Sequence, residues 1–103
     1  ADIQKYASTA AVLFKALELS EKIDYKESLN MVFNSASRLS AYGDALIDSN
    51  PALAYVAYQE SASIAKKLKS FESESMLTFQ SKLRADLFDH ATSQLSYIKS
   101  KKA

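Results

Sequence analysis

Residues 25–46, YKESLNMVFNSASRLSAYGDAL, decide how this chain folds. Within them Tyr25, Leu29, Val32, Ala36, Leu39, Gly43 and Leu46 recur at alternating steps of four and three residues. An α-helix turns once in about 3.6 residues, so this spacing returns each side chain to one stripe. An unbroken stripe of this kind predicts an amphipathic helix with its apolar edge against other helices. The only glycine of the chain sits on that stripe. Inside a helix it costs about 1 kcal/mol relative to alanine. The expected compensation is a close helix crossing at Gly43, where a neighbouring helix approaches the bare backbone.

Both edges of this segment carry stop and start signals. Before it, Asp24-Tyr25-Lys26-Glu27 fits a capping box, with Asp24 accepting from the Glu27 backbone N–H and Glu27 reaching back. After it comes Ser49-Asn50-Pro51, the sharpest break in the chain. Ser or Asn caps a helix N-terminus, and proline suits the first helical position because its missing N–H had no partner there. Proline also disfavours helical geometry at Asn50. One helix is therefore expected to end near Asp48 and another to begin at Pro51.

Helical spacing continues on either side. Upstream, Ile3, Ala7, Ala10, Phe14 and Leu17 form one stripe, and Val12, Ala16, Leu19 and Ile23 a second. A helix apolar on two sides is either central or meets a second partner. Downstream, Leu53, Val56, Ala57, Ile64, Leu68 and Phe71 form one set and Met76, Phe79, Leu83, Leu87, Ala91, Leu95 and Ile98 another. The polar run 71–75 covers the offset between these sets, with Ser73 placed to cap a new helix. These patterns predict helices over 2–23, 25–48, 51–71 and 74–100 in a single all-α domain, 1–103. Similar lengths and short connections favour an antiparallel up-down four-helix bundle. Neither Asp24 nor Ser73 adjoins a Gly or Pro. If the helices run through these points, the alternative is a long helical hairpin, or a three-helix arrangement, that dimerises.

Composition excludes other classes. One Gly and one Pro in 103 residues are too few for the tight turns of an all-β domain. With no cysteine there is no disulfide and no thiolate metal site. No run approaches the ~18 apolar residues of a membrane span, since Lys15 and Glu18 interrupt the most apolar segment, 10–19. No leader pattern is present, and the favoured compartment is cytoplasmic, with an exported mature chain as the alternative. Net charge is +1, with five Lys/Arg against seven Asp/Glu over 1–50 and eight against five over 51–103. That mild asymmetry demands no acidic partner, and nucleic acid is not expected.

Residues that carry chemistry are sparse. His90, the sole histidine, shares a helix face with Asp86 and Gln94, which reads as an exposed histidine beside a carboxylate. One His and one Asp fall short of a zinc site. No Glu-x-x-His occurs for a di-iron bundle, and Met31 and Met76 read as core filler or soft contact surface. No nucleophile elbow or phosphate-binding glycine loop exists. No enzyme, no cofactor and no metal is expected, and a metal- or cofactor-binding bundle is only a minor alternative.

What remains is surface. Ser and Ala occur sixteen times each, and charged residues are only 24%. Helices dressed in Ala, Ser and Tyr resemble contact surfaces. The leading expectation is a non-catalytic protein–protein interaction or assembly subunit that binds a partner or copies of itself. Its contact residues are expected to be Val12, Ala16 and Leu19 on the second face of the first helix, together with Tyr55 and Tyr58. The alternative is a membrane-surface module in which Lys66, Lys67 and Lys69 face anionic lipid.

Overall fold

Pro51 opens a helix because the residue before it supplies the cap. The Asn50 side chain accepts a hydrogen bond from the Leu53 backbone N–H at 3.2 Å, satisfying one of the first N–H groups. A computed structural model of the protein describes residues 2–19, 25–71 and 78–102. They form four helices: α1 (Asp2–Glu18), α2 (Tyr25–Leu46), α3 (Pro51–Lys69) and α4 (Thr78–Lys102). The fold is an all-α, up-down four-helix bundle, with no strand among the described residues. Three ends differ from the expected ones, α1 stopping at Glu18, α2 at Leu46 and α3 at Lys69; the expected start of α4 at 74 lies outside the described residues, and α4 runs on to Lys102. The caps expected at Asp24 and Ser73 lie outside the described residues.

Cross-helix contacts fix the directions. Arg38 lies over the Tyr6 ring, 6.0 Å from its centroid, so α2 returns along α1. The Ser61 hydroxyl donates to the Ala36 carbonyl at 2.7 Å, so α3 returns along α2. The Tyr58 and His90 rings meet edge to face at 6.0 Å, so α4 returns along α3. These reversals exclude the long hairpin.

The α2–α3 pair forms the middle of the bundle. α1 lies chiefly against α2 and α4 chiefly against α3, and α1 and α4 do not touch among the described residues. One core cluster joins Ile3, Ala10, Phe14 and Leu17 of α1 to Leu29, Val32, Ala36 and Leu39 of α2 and Ala57, Ile64 and Leu68 of α3. The second joins Ala54, Tyr58 and Ala62 of α3 to Ala91 and Ile98 of α4. Each fully buried aliphatic side chain contributes about 1.5–3 kcal/mol. The molecule measures 46 × 28 × 18 Å. Its shortest dimension is about two helix diameters, so each flanking helix keeps one face in solvent.

The heptad stripe of α2 is the buried one: Leu29, Val32, Ala36, Leu39 and Gly43 are all inside, and Leu46 is half-buried. Two apolar positions expected on packed stripes are instead exposed, Val56 of α3 and Leu83 of α4. Met76 lies outside the described residues, as does the side chain of Phe79. Among the described residues no buried side-chain N or O lacks a hydrogen-bond partner, which is the ordinary requirement for polar groups taken out of water. None of the four helices is long and apolar enough to cross a membrane.

Candidate functional site

Two features stand out above ordinary bundle packing. The first is a polar junction where α2, α3 and α4 meet. Gly43 leaves a gap on α2, and the Tyr58 ring of α3 fills it. A Cβ at position 43 would stand 2.7 Å from Tyr58 Cε1 and 2.8 Å from Cζ, closer than carbon atoms approach. Where a close helix crossing was expected, a side chain of the neighbouring helix occupies the gap. Because it admits the whole ring, Tyr58 is fully buried. Its hydroxyl donates to Asp44 Oδ1 at 2.5 Å. The same carboxylate oxygen lies 2.8 Å from His90 Nε2 of α4. One carboxylate thus ties three helices, with its outer side and His90 about half exposed.

Electrostatics at the junction follow from this geometry. Burial pushes the Tyr58 phenol up to about 12, and the hydrogen bond to Asp44 adds to the rise. A hydrogen bond with Gln94 opposes it, and the negative charge of Asp44 again favours the protonated phenol. The phenol is therefore a fixed donor at neutral pH, and the junction reads as a structural latch. Among the described residues no three His, Asp or Glu side chains converge as a metal-ligand set. Asp86, the carboxylate that sequence spacing placed beside His90, forms an exposed ion pair with Lys82 at 3.3 Å instead.

The second feature is the outer face of the α1–α2 pair. The two apolar stripes of α1 have separate fates. Ile3, Ala10, Phe14 and Leu17 are buried, while Val12 is 69% exposed and Leu19 58% exposed. At about 100° per residue, Val12 points almost opposite to the buried stripe. Ala16 is half-buried beside it. Met31 of α2 is 45% exposed. It joins Ser8, Thr9, Val12 and Leu13 around a shallow hollow between the two helices. Three large apolar side chains on one face are the kind of surface that marks a contact site when contiguous.

The other expected site residues divide. Tyr58 is not a surface contact: it is buried at the Gly43 crossing, and its amphipathic ring serves the core with its hydroxyl paired inside. Tyr55 is half-buried with the Lys99 ammonium 5.9 Å from its ring centroid, so α4 already occupies part of its face. Lys66 and Lys69 are exposed in the last turn of α3. Lys67, also exposed, reaches across the surface to Glu18 at 3.1 Å and lies 5.0 Å from the Phe14 ring centroid, linking α3 to the end of α1.

The sequence reading left Met31 as core filler or soft contact surface without placing it on the α1–α2 face, and it missed Asp44 as the partner of His90. Met31 was detectable, since Glu27, Met31, Asn34 and Arg38 form their own exposed stripe beside the heptad. Asp44 and His90 are joined only through tertiary packing, and no local spacing signals it. No protein-family model, no curated protein and no solved structure matches this chain.

Proposed function

We propose that the chain is a non-catalytic helical interaction subunit that docks through the outer face of its α1–α2 pair. The observation that supports this most is the placement of Val12, Leu19 and Met31, exposed together on the side of α1 and α2 away from the core. Burying each such side chain on a partner releases about 1.5–3 kcal/mol. A surface keeps residues of this size in water at the expense of solubility unless something covers them.

The polar junction complements this reading by holding the α2–α3–α4 part rigid. A rigid scaffold lowers the ordering cost when the free α1–α2 face binds. The test is site-specific photocrosslinking in the native cell. A photoreactive residue at position 12 or 31 should capture a protein, and one at the exposed Gln59 of α3 should not. Equal yields at positions 12 and 59, or no adduct from 12 and 31, would contradict the proposal.

A further inference from the structure

We infer that Met31 is a reversible oxidation site, at which hydrogen peroxide converts the thioether to the sulfoxide and so turns the α1–α2 face from docking to non-docking. This rests on the interaction reading above and adds its regulation. The chain has no cysteine and two methionines, so thioethers are its only sulfur. Met76 lies outside the described residues, and Met31 is 45% exposed. Methionine ordinarily fills gaps in a core, but this one lines the shallow hollow with Val12 and Leu13 on the apolar outer face. Susceptibility to oxidation follows exposure, and no thiol in the chain competes for the oxidant. Among the described residues the reactive sulfur is therefore confined to the face that docks.

The step balances with no other group of the protein. A lone pair on the Met31 sulfur attacks one peroxide oxygen, the S–O bond forms and the O–O bond breaks. The second oxygen leaves as water with both protons; sulfur loses two electrons and the peroxide gains them. The product puts a strong dipole where an apolar atom stood. The hollow suits that dipole while it is open to water. Ser8 Oγ accepts from Gln4 Nε2 at 3.2 Å, which leaves its own O–H to donate to a sulfoxide oxygen. The neighbouring Thr9 hydroxyl already donates to the Lys5 carbonyl at 2.9 Å. A partner that buries the oxidised face must strip the sulfoxide of water, which opposes docking. Folding is spared, because the buried stripe of α2 runs through Leu29, Val32, Ala36 and Leu39 and Met31 lies outside it. Methionine sulfoxide reductase reverses the step: the oxygen leaves as water while a dithiol becomes a disulfide. That dithiol comes from outside, since the chain has no cysteine.

Two measurements test this. The full chain is treated with hydrogen peroxide and mapped by peptide mass, folded and in urea. Met31 should oxidise in the folded chain within about three-fold of its rate in urea, with circular dichroism unchanged. Protection of about ten-fold or more, or loss of helix on oxidation, would overturn the inference. The second measurement is the photocrosslink from position 12 in native cells exposed to peroxide. Its yield should fall in proportion to the fraction of Met31 oxidised and recover when methionine sulfoxide reductase has returned the thioether. Met31→Leu keeps the apolar contact and Met76 but has no sulfur at 31, so its crosslink should withstand peroxide. Met31→Gln places a polar group there and should cut the yield roughly ten-fold without peroxide. A crosslink that ignores Met31 oxidation, or one lost equally in Met31→Leu, would overturn the switch and leave the docking reading standing. No crosslink from position 12 before peroxide would overturn both.

Discussion

Gly43 and Tyr58 occupy one another's space: the ring stands where a side chain on the glycine would be, 2.7 Å from Cε1 to the missing Cβ. Gly43→Ala gains about 1 kcal/mol of helix propensity and meets an overpacking cost of about 1–3 kcal/mol, because the ring is buried and tethered to Asp44. The expected net effect is a loss of roughly 1 kcal/mol in denaturant unfolding. With Tyr58→Leu in the background the clash is gone, and Gly43→Ala should become stabilising. A double-mutant cycle showing no coupling between positions 43 and 58 would remove the crossing from the explanation of the fold.

Tyr58 also makes the stability depend on alkaline pH. Unfolded, its phenol ionises at its ordinary value of 10.0; folded, it keeps its proton to about 12. The native state binds this proton more tightly, so the contribution is whole below pH 10 and shrinks as pH rises from 10 to 12. Across that window wild type should lose about 2–3 kcal/mol more than Tyr58→Phe. Unfolding free energies of both proteins at stepped pH give the comparison, and parallel curves would refute the burial and pairing of the phenol.

Among the described residues Asp44 serves two donors, Tyr58 and His90, and His90 one acceptor. Asp44→Ala strips the buried Tyr58 hydroxyl of its carboxylate and should cost about 1–3 kcal/mol. His90→Ala breaks a half-exposed pair and should cost about 1 kcal/mol or less. Hydrogen exchange should show the larger loss of protection in α4 for Asp44→Ala. A larger effect from His90→Ala would reverse the roles given to the two residues.

Much of this fold was legible because periodicity reports which face of a helix avoids water. The stripe from Leu29 to Gly43 is buried as its spacing required, and Asn50-Pro51 breaks the chain where cap chemistry demanded. On α1 both apolar stripes were visible, yet spacing alone cannot rank them; packing against α2 and α3 chose Ile3, Ala10, Phe14 and Leu17. Tyr58 looked like a contact residue because a phenol suits a wet edge as well as a dry core, and only the gap at Gly43 decides between them. The ends near Glu18 and Lys69 were less legible, since no Gly or Pro marks them. The Asp44–His90 link was illegible because it joins residues remote in sequence, while Asp86 stood in the local position.

The outer α1–α2 face is best tested by one substitution read in two ways. Val12 projects into solvent, so Val12→Asp should leave the melting temperature nearly unchanged, within the ~0.5 kcal/mol expected of an exposed site. The same change should abolish the photocrosslink formed from position 31 in the native cell, because it would bury a charge at the centre of the contact. An undiminished photocrosslink from position 31 in Val12→Asp, with both proteins folded, would contradict the central role given to this face.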